Sequence, residues 1–98
     1  MPEQALTLAS FEPLVGSQFT LWLDDATQLP ALLLQARATP GSTTDREPFS
    51  LTFEAPAEPA LPQSIYRLAH PGFTAGLDIF LVPVARSANG LHYEAIFS

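Results

Sequence analysis

An all-β fold follows from three features of this sequence. Short runs rich in branched and aromatic residues recur along it, turn-forming clusters separate them, and no helical stretch is long enough for a parallel crossover. About six such runs predict one antiparallel domain over residues 1–98, closed as a small barrel or folded over as a sandwich, with a short N-terminal helical turn.

Taken in order, Ala5 to Gly16 holds the helical turn: Ser10 can accept from early backbone N–H groups, Pro13 keeps the turn short and Gly16 stops it. Its apolar residues Leu6, Leu8, Phe11, Leu14 and Val15 are expected to lie on the sheet and plug one end of the core. Gln18–Leu23 alternates, with Phe19, Leu21 and Leu23 on one face and Thr20 and Trp22 on the other, and Asp24-Asp25-Ala26-Thr27 is a turn in which aspartate caps its own following backbone. Gln28–Arg37 is apolar on both faces, and Pro30, which cannot donate to a ladder, places this strand at an edge or gives it a bulge near its start. After the polar loop Thr39–Glu47, Phe49–Glu54 alternates cleanly with Phe49, Leu51 and Phe53 inward. Pro56, Pro59 and Pro62 stiffen the next connection. Ser64–His70 is the fourth strand, and His70-Pro71-Gly72 turns the chain. Leu77–Val84 and Leu91–Phe97 form a terminal hairpin around Arg86-Ser87-Ala88-Asn89-Gly90, where Asn-Gly supplies the positive φ of a tight reversal.

Composition narrows the partners. With 47% hydrophobic and 14% charged residues the chain has material for a core and too little charge for disorder. The net charge is −6 and all four cations are arginines, so neither nucleic acid nor an anionic membrane is an expected partner. Cysteine is absent, which excludes thiolate chemistry and leaves the compartment open. Without a basic n-region or a membrane-length apolar run, the expectation is a soluble cytoplasmic protein, or one exported as part of an assembly without a cleaved signal.

The runs Pro48-Phe49-Ser50-Leu51-x-Phe53, Leu61-Pro62-Gln63, Tyr66-x-Leu68-x-His70-Pro71, Phe80-Leu81-Val82-Pro83 and Tyr93-Glu94-Ala95-x-Phe97, with the opening Phe11-Glu12-Pro13-Leu14-Val15-Gly16, carry a family resemblance. Together they resemble a small uncharacterised bacterial family, domain of unknown function 6916, over nearly the whole chain. The family has no activity attached to it. The resemblance implies proximity to phage-tail-collar-like proteins and hence a part in a fibre or phage-tail-like assembly.

Chemistry-bearing residues do not converge. His92 and Glu94 share a strand face with Asp78 on the partner strand, but two histidines on different strands and scattered carboxylates specify no metal site. His70 before Pro71 reads as a turn residue rather than a general base. Ser64, Ser87 and Ser98 lack a nucleophile elbow. Asp24 and Asp25 are turn formers, the Thr39–Glu47 loop lacks the spacing and lysine of a phosphate loop, and no PxxP is aligned with a basic residue. The expectation is a protein without catalytic residues, cofactor or metal.

Two functional readings remain. One is a small-molecule-binding barrel lined by Phe19, Phe49, Phe53, Tyr66 and Phe97, although small barrels are usually filled by their own side chains. The other is a structural or protein-interaction module that contacts a protein partner or associates with itself. If Leu23 pairs with Gln28 and Val84 with Leu91, an outer apolar face contains Trp22, Leu29, Leu33, Ile79, Leu81 and Ile96, opposite a face carrying Phe80, Val82, Tyr93 and Phe97. The N-terminal segment could mask part of that surface, and the lightly charged second strand offers an edge for pairing.

Overall fold

The computed structural model describes residues 8–24, 26–39, 48–58, 60–71 and 73–97. Expectations for Leu6, Asp25, Pro59, Gly72, Ser98 and residues 40–47 lie outside them. Six strands, β1 (Gln18–Trp22), β2 (Gln28–Ala38), β3 (Phe49–Ala55), β4 (Ser64–His70), β5 (Phe73–Ser87) and β6 (Gly90–Phe97), close an antiparallel barrel in the order β1-β2-β3-β6-β5-β4. Of the two expected architectures, the barrel is the one formed.

Two long strands make closure feasible. Gln28 to Ala31 of β2 pair only with β1, Leu32 pairs with both neighbours, and Leu33 and then Gln35 to Ala38 pair with β3 across a bulge between Leu33 and Gln35. Similarly, β5 pairs with β4 up to Leu81 and with β6 from Val82, with a bulge between Pro83 and Ala85. Bulges bend and twist a strand so that it can change neighbours. Pro30 sits where β2 has a partner on one side only, so its missing N–H leaves no gap in a second ladder. The strand is central and its bulge lies at Leu34, not near its start, because Pro30 is accommodated in unbroken register with β1 where β2 has no second partner. The edge expected of it is also covered, because Gly16 donates to Leu33 O (2.7 Å) and Leu33 donates to Ser17 O (3.0 Å).

The core is the barrel interior. Phe19, Leu21, Leu33, Leu51, Phe53, Leu68, Leu81 and Tyr93 have no exposed surface, and Phe49 and Ile79 nearly none. Phe97 is half-buried, stacked on Phe49 with centroids 4.7 Å apart. The N-terminal segment is the expected plug: α1 (Leu8–Phe11) and a 3-10 turn (Glu12–Leu14) drive Phe11 against Phe49 and Phe97, both at 5.8 Å. Ser10 lies inside α1 rather than at its cap, while Gly16 ends the segment at φ +92°. From the opposite end of β3, the proline-bearing connection to β4 buries Leu61, whose N–H donates to the Tyr93 hydroxyl (3.0 Å).

Both hairpins depart from the expected register, the first by one residue and the terminal one by two next to its turn and by one beyond the bulge at Val84. Trp22 pairs with Gln28, and Leu23 N donates to Thr27 O, so Leu21 rather than Trp22 faces Leu29. In the terminal hairpin Ser87 pairs with Gly90 around Ala88-Asn89, and Val84 is the bulged residue. Since side chains alternate with period two, a slip of one reverses every inward and outward assignment relative to the partner. Ile79 and Leu81 consequently join Tyr93 inside, and Phe80 and Val82 leave the core. Gly90 fits this turn because a Cβ there would come within 2.1 Å of Ala55 O, at φ +154°.

Candidate functional site

The outer wall of β4, β5 and β6 is where apolar side chains meet solvent. Ile65 is 65% exposed, Ile96 60%, Val84 52% and Phe80 50%. Ile65 and Phe80 are directly paired across β4 and β5. Two residues along β5, Val82 pairs with Glu94, and Ile96 lies on the same outer side of β6, where it pairs with Ser50 of β3. On the far side of the Ile65–Phe80 pair, Arg67 Nε lies 3.4 Å from Asp78 Oδ1. That ion pair is well exposed and contributes little to stability. The site is therefore an apolar strip bordered by charges of both signs.

Of the expected face, Trp22 and Ile96 do lie on the outside, with Trp22 half-buried between Gln28 and Arg67. Leu33, Ile79 and Leu81 are buried, and Leu29 packs against the core opposite Leu21, so these four belong to the inner wall. The register slips described above are the cause. Ile65, Phe80 and Val84 were missed, although two had a signal in the sequence. Ile65 shares strand parity with Arg67, and Phe80 with Asp78. A charge two residues away marks the solvent side of a half-buried strand.

Two polar clusters could suggest chemistry, and hydrogen-bond accounting assigns them structural roles. Glu54 Oε2 accepts from Ser87 Oγ (3.0 Å) and lies 3.1 Å from His92 Nε2. An ionised carboxylate only accepts, so His92 donates through Nε2. The carboxylate stands between serine and histidine, whereas an activated serine needs the histidine in the middle. Glu94 shares the outer face of β6 with His92 as expected, and is flanked there by Thr52 and Val82, while Asp78 pairs with Arg67. Groups of three or more metal-ligating side chains do not occur among the described residues.

The second cluster lies where β4 turns back. Ser17 Oγ donates to Leu14 O, and His70 Nε2 lies 3.0 Å from Ser17 Oγ. With the hydroxyl proton committed to Leu14, His70 donates to Ser17 and does not withdraw its proton. The His70 ring packs on Phe19 with centroids 4.5 Å apart. His70 therefore ties β4 to the N-terminal segment. Tyr66 donates to Pro62 O (2.6 Å), and burial, then the neighbouring Tyr93, raises its pKa, keeping it a donor near neutral pH. Asp24 caps its turn as expected: Oδ1 accepts from Ala26 and Thr27 N–H, both at 2.8 Å, and these bonds lower its pKa.

A groove of about 260 Å³ crosses the opposite outer wall between Gln18, Pro30, Leu32, Glu54 and Pro56. Its Glu54 is already engaged by Ser87 and His92. No helix among the described residues is long and apolar enough to cross a membrane.

Comparison with curated proteins and with solved structures gives no match. The sequence profile of the domain of unknown function DUF6916 matches residues 6–97, and the chain belongs to that family.

Proposed function

We propose that this domain is a non-catalytic protein-contact module that works through the outer wall of β4, β5 and β6. The observation that carries this reading is the strip of Ile65, Phe80 and Ile96, each at least half exposed in a chain whose other large apolar residues mostly face the barrel interior. Apolar area left in water on a folded barrel gains free energy when a second surface covers it, and such patches mark contact sites. The family resemblance suggests a setting: a fibre or phage-tail-like assembly, built in the cytoplasm or exported with its partners. A ligand inside the barrel has less support, because Phe19 meets Phe53 edge-on at 5.3 Å and the interior side chains cover one another.

The test is association of the full chain, tagged away from this wall, with proteins of its own cell and with itself. Phe80→Glu should abolish the association while circular dichroism, and the unfolding midpoint at low protein concentration, stay close to wild type. Association indifferent to Phe80→Glu and to Ile65→Glu, or absent altogether, would sink the reading.

A further inference from the structure

We infer that the occupant of the β4–β5–β6 wall is a second copy of this chain, packed face to face about a two-fold axis. The inference rests on the contact reading above and adds the partner. Charge distribution carries it. Strands β4, β5 and β6 together hold two cations, Arg67 and Arg86, and two anions, Asp78 and Glu94, so this sheet is neutral. The rest of the chain holds two arginines against eight acidic residues, which is the entire net charge of −6.

A basic partner would be drawn to the acidic remainder, because long-range attraction follows the field and the neutral sheet supplies none. A second copy fits the opposite arrangement: two neutral apolar walls meet while the acid-rich parts of both copies stay apart. Isologous contact also requires one patch to tolerate itself, and a strip of Ile65 and Phe80 bordered by the Arg67–Asp78 pair brings both signs to the rim. Face packing is favoured over strand addition. Beyond Leu81 the edge of β5 that faces away from β6 is guarded by Pro83, which has no N–H, by the bulge at Val84 and by Arg86.

Sedimentation of the full chain from micromolar to near-millimolar concentration, at low and high salt, tests the inference. The expected result is a reversible dimer that tightens as salt rises, because salt screens repulsion between two anionic bodies and leaves the apolar contact intact. Phe80→Glu and Ile65→Glu should each weaken it by about tenfold or more, and Gln18→Glu on β1 should leave it unchanged. If Phe80→Glu fails to fold by circular dichroism, Ile65→Glu and Phe80→Ser carry the same test. A wild type that stays monomeric at every concentration and salt, or a dimer indifferent to these substitutions, overturns the inference. A monomer that binds another protein in a Phe80-dependent way overturns self-association and leaves the contact reading standing, whereas a monomer without any such partner overturns both.

Discussion

Leu81 and Phe80 are neighbours on one strand with similar hydrophobicity, yet Leu81 is fully buried and Phe80 is half exposed. The difference extends to the walls they belong to. Inside, β5 meets Tyr93 and the rest of a filled interior, and outside it displays Val84 and Phe80, the latter paired with Ile65, while Ile96 is exposed on β6. Hydrophobicity alone therefore does not decide which residues hold the barrel together and which are free to make contacts. Register does, because the period of two sends alternate residues to opposite sides. The two walls should consequently separate in experiment, the inner one governing stability and the outer one association.

The largest effects belong to the inner wall. Phe53→Ala removes a fully buried ring that meets Phe19 edge-on and should cost about 3–5 kcal/mol in urea unfolding, the usual range for such a truncation. Gly90→Ala should be of similar severity, since its methyl would meet the Ala55 carbonyl, which is backbone and cannot swing aside. A loss below about 1 kcal/mol for Phe53→Ala would break the distinction between the walls at its strongest point.

A subtler inner-wall change is Tyr93→Phe. Its ring packing survives, but the buried Leu61 N–H loses its acceptor and the connection to β4 loses a tether, so about 1–3 kcal/mol should disappear. By contrast, Phe80→Ser on the outer wall should change stability by under about 1 kcal/mol, as exposed substitutions usually do, while impairing association. Equal stability losses at Phe80 and Leu81 would erase the comparison.

The smallest effect is outside both walls, at the β1–β2 turn. The Ala26 and Thr27 N–H bonds favour ionised Asp24 in the folded state, so its folded pKa is below the unfolded one. That contribution is present above the unfolded pKa and is lost as the pH falls through the folded value. Asp24→Asn should flatten the acid limb of the stability curve by slightly lowering the neutral-pH end, and leave the curve below the folded pKa nearly unchanged.

Much of the fold was legible because its signals are local. Phe49–Glu54 alternates, Pro13 and Gly16 bound the helical segment, and Asp24 marks its turn, so the strands fall within a few residues of their expected ends. The registers were not legible in the same way. The bulges at Leu34 and Val84 have no sequence signature of their own, and whether the terminal reversal is Ala88-Asn89 or the longer Arg86–Gly90 is decided by pairing with Ser87 and by the close approach of Gly90 to Ala55. One residue of slip, in the first hairpin and beyond the Val84 bulge of the second, moved Leu29, Leu33, Ile79 and Leu81 from the expected contact face into the interior. For the clusters at Glu54 and His70, the partners are 33 to 53 residues apart in sequence, beyond the reach of spacing rules.

The central claim, that the outer wall of β4–β5–β6 joins two copies while the inner wall holds each one, is tested most directly by the concentration dependence of the urea unfolding midpoint. Association of folded chains stabilises them by mass action, so the wild-type midpoint should rise with protein concentration and the Phe80→Glu midpoint should not. Wild-type midpoints that coincide at all concentrations, or a Phe80→Glu midpoint that rises just as steeply, would contradict it.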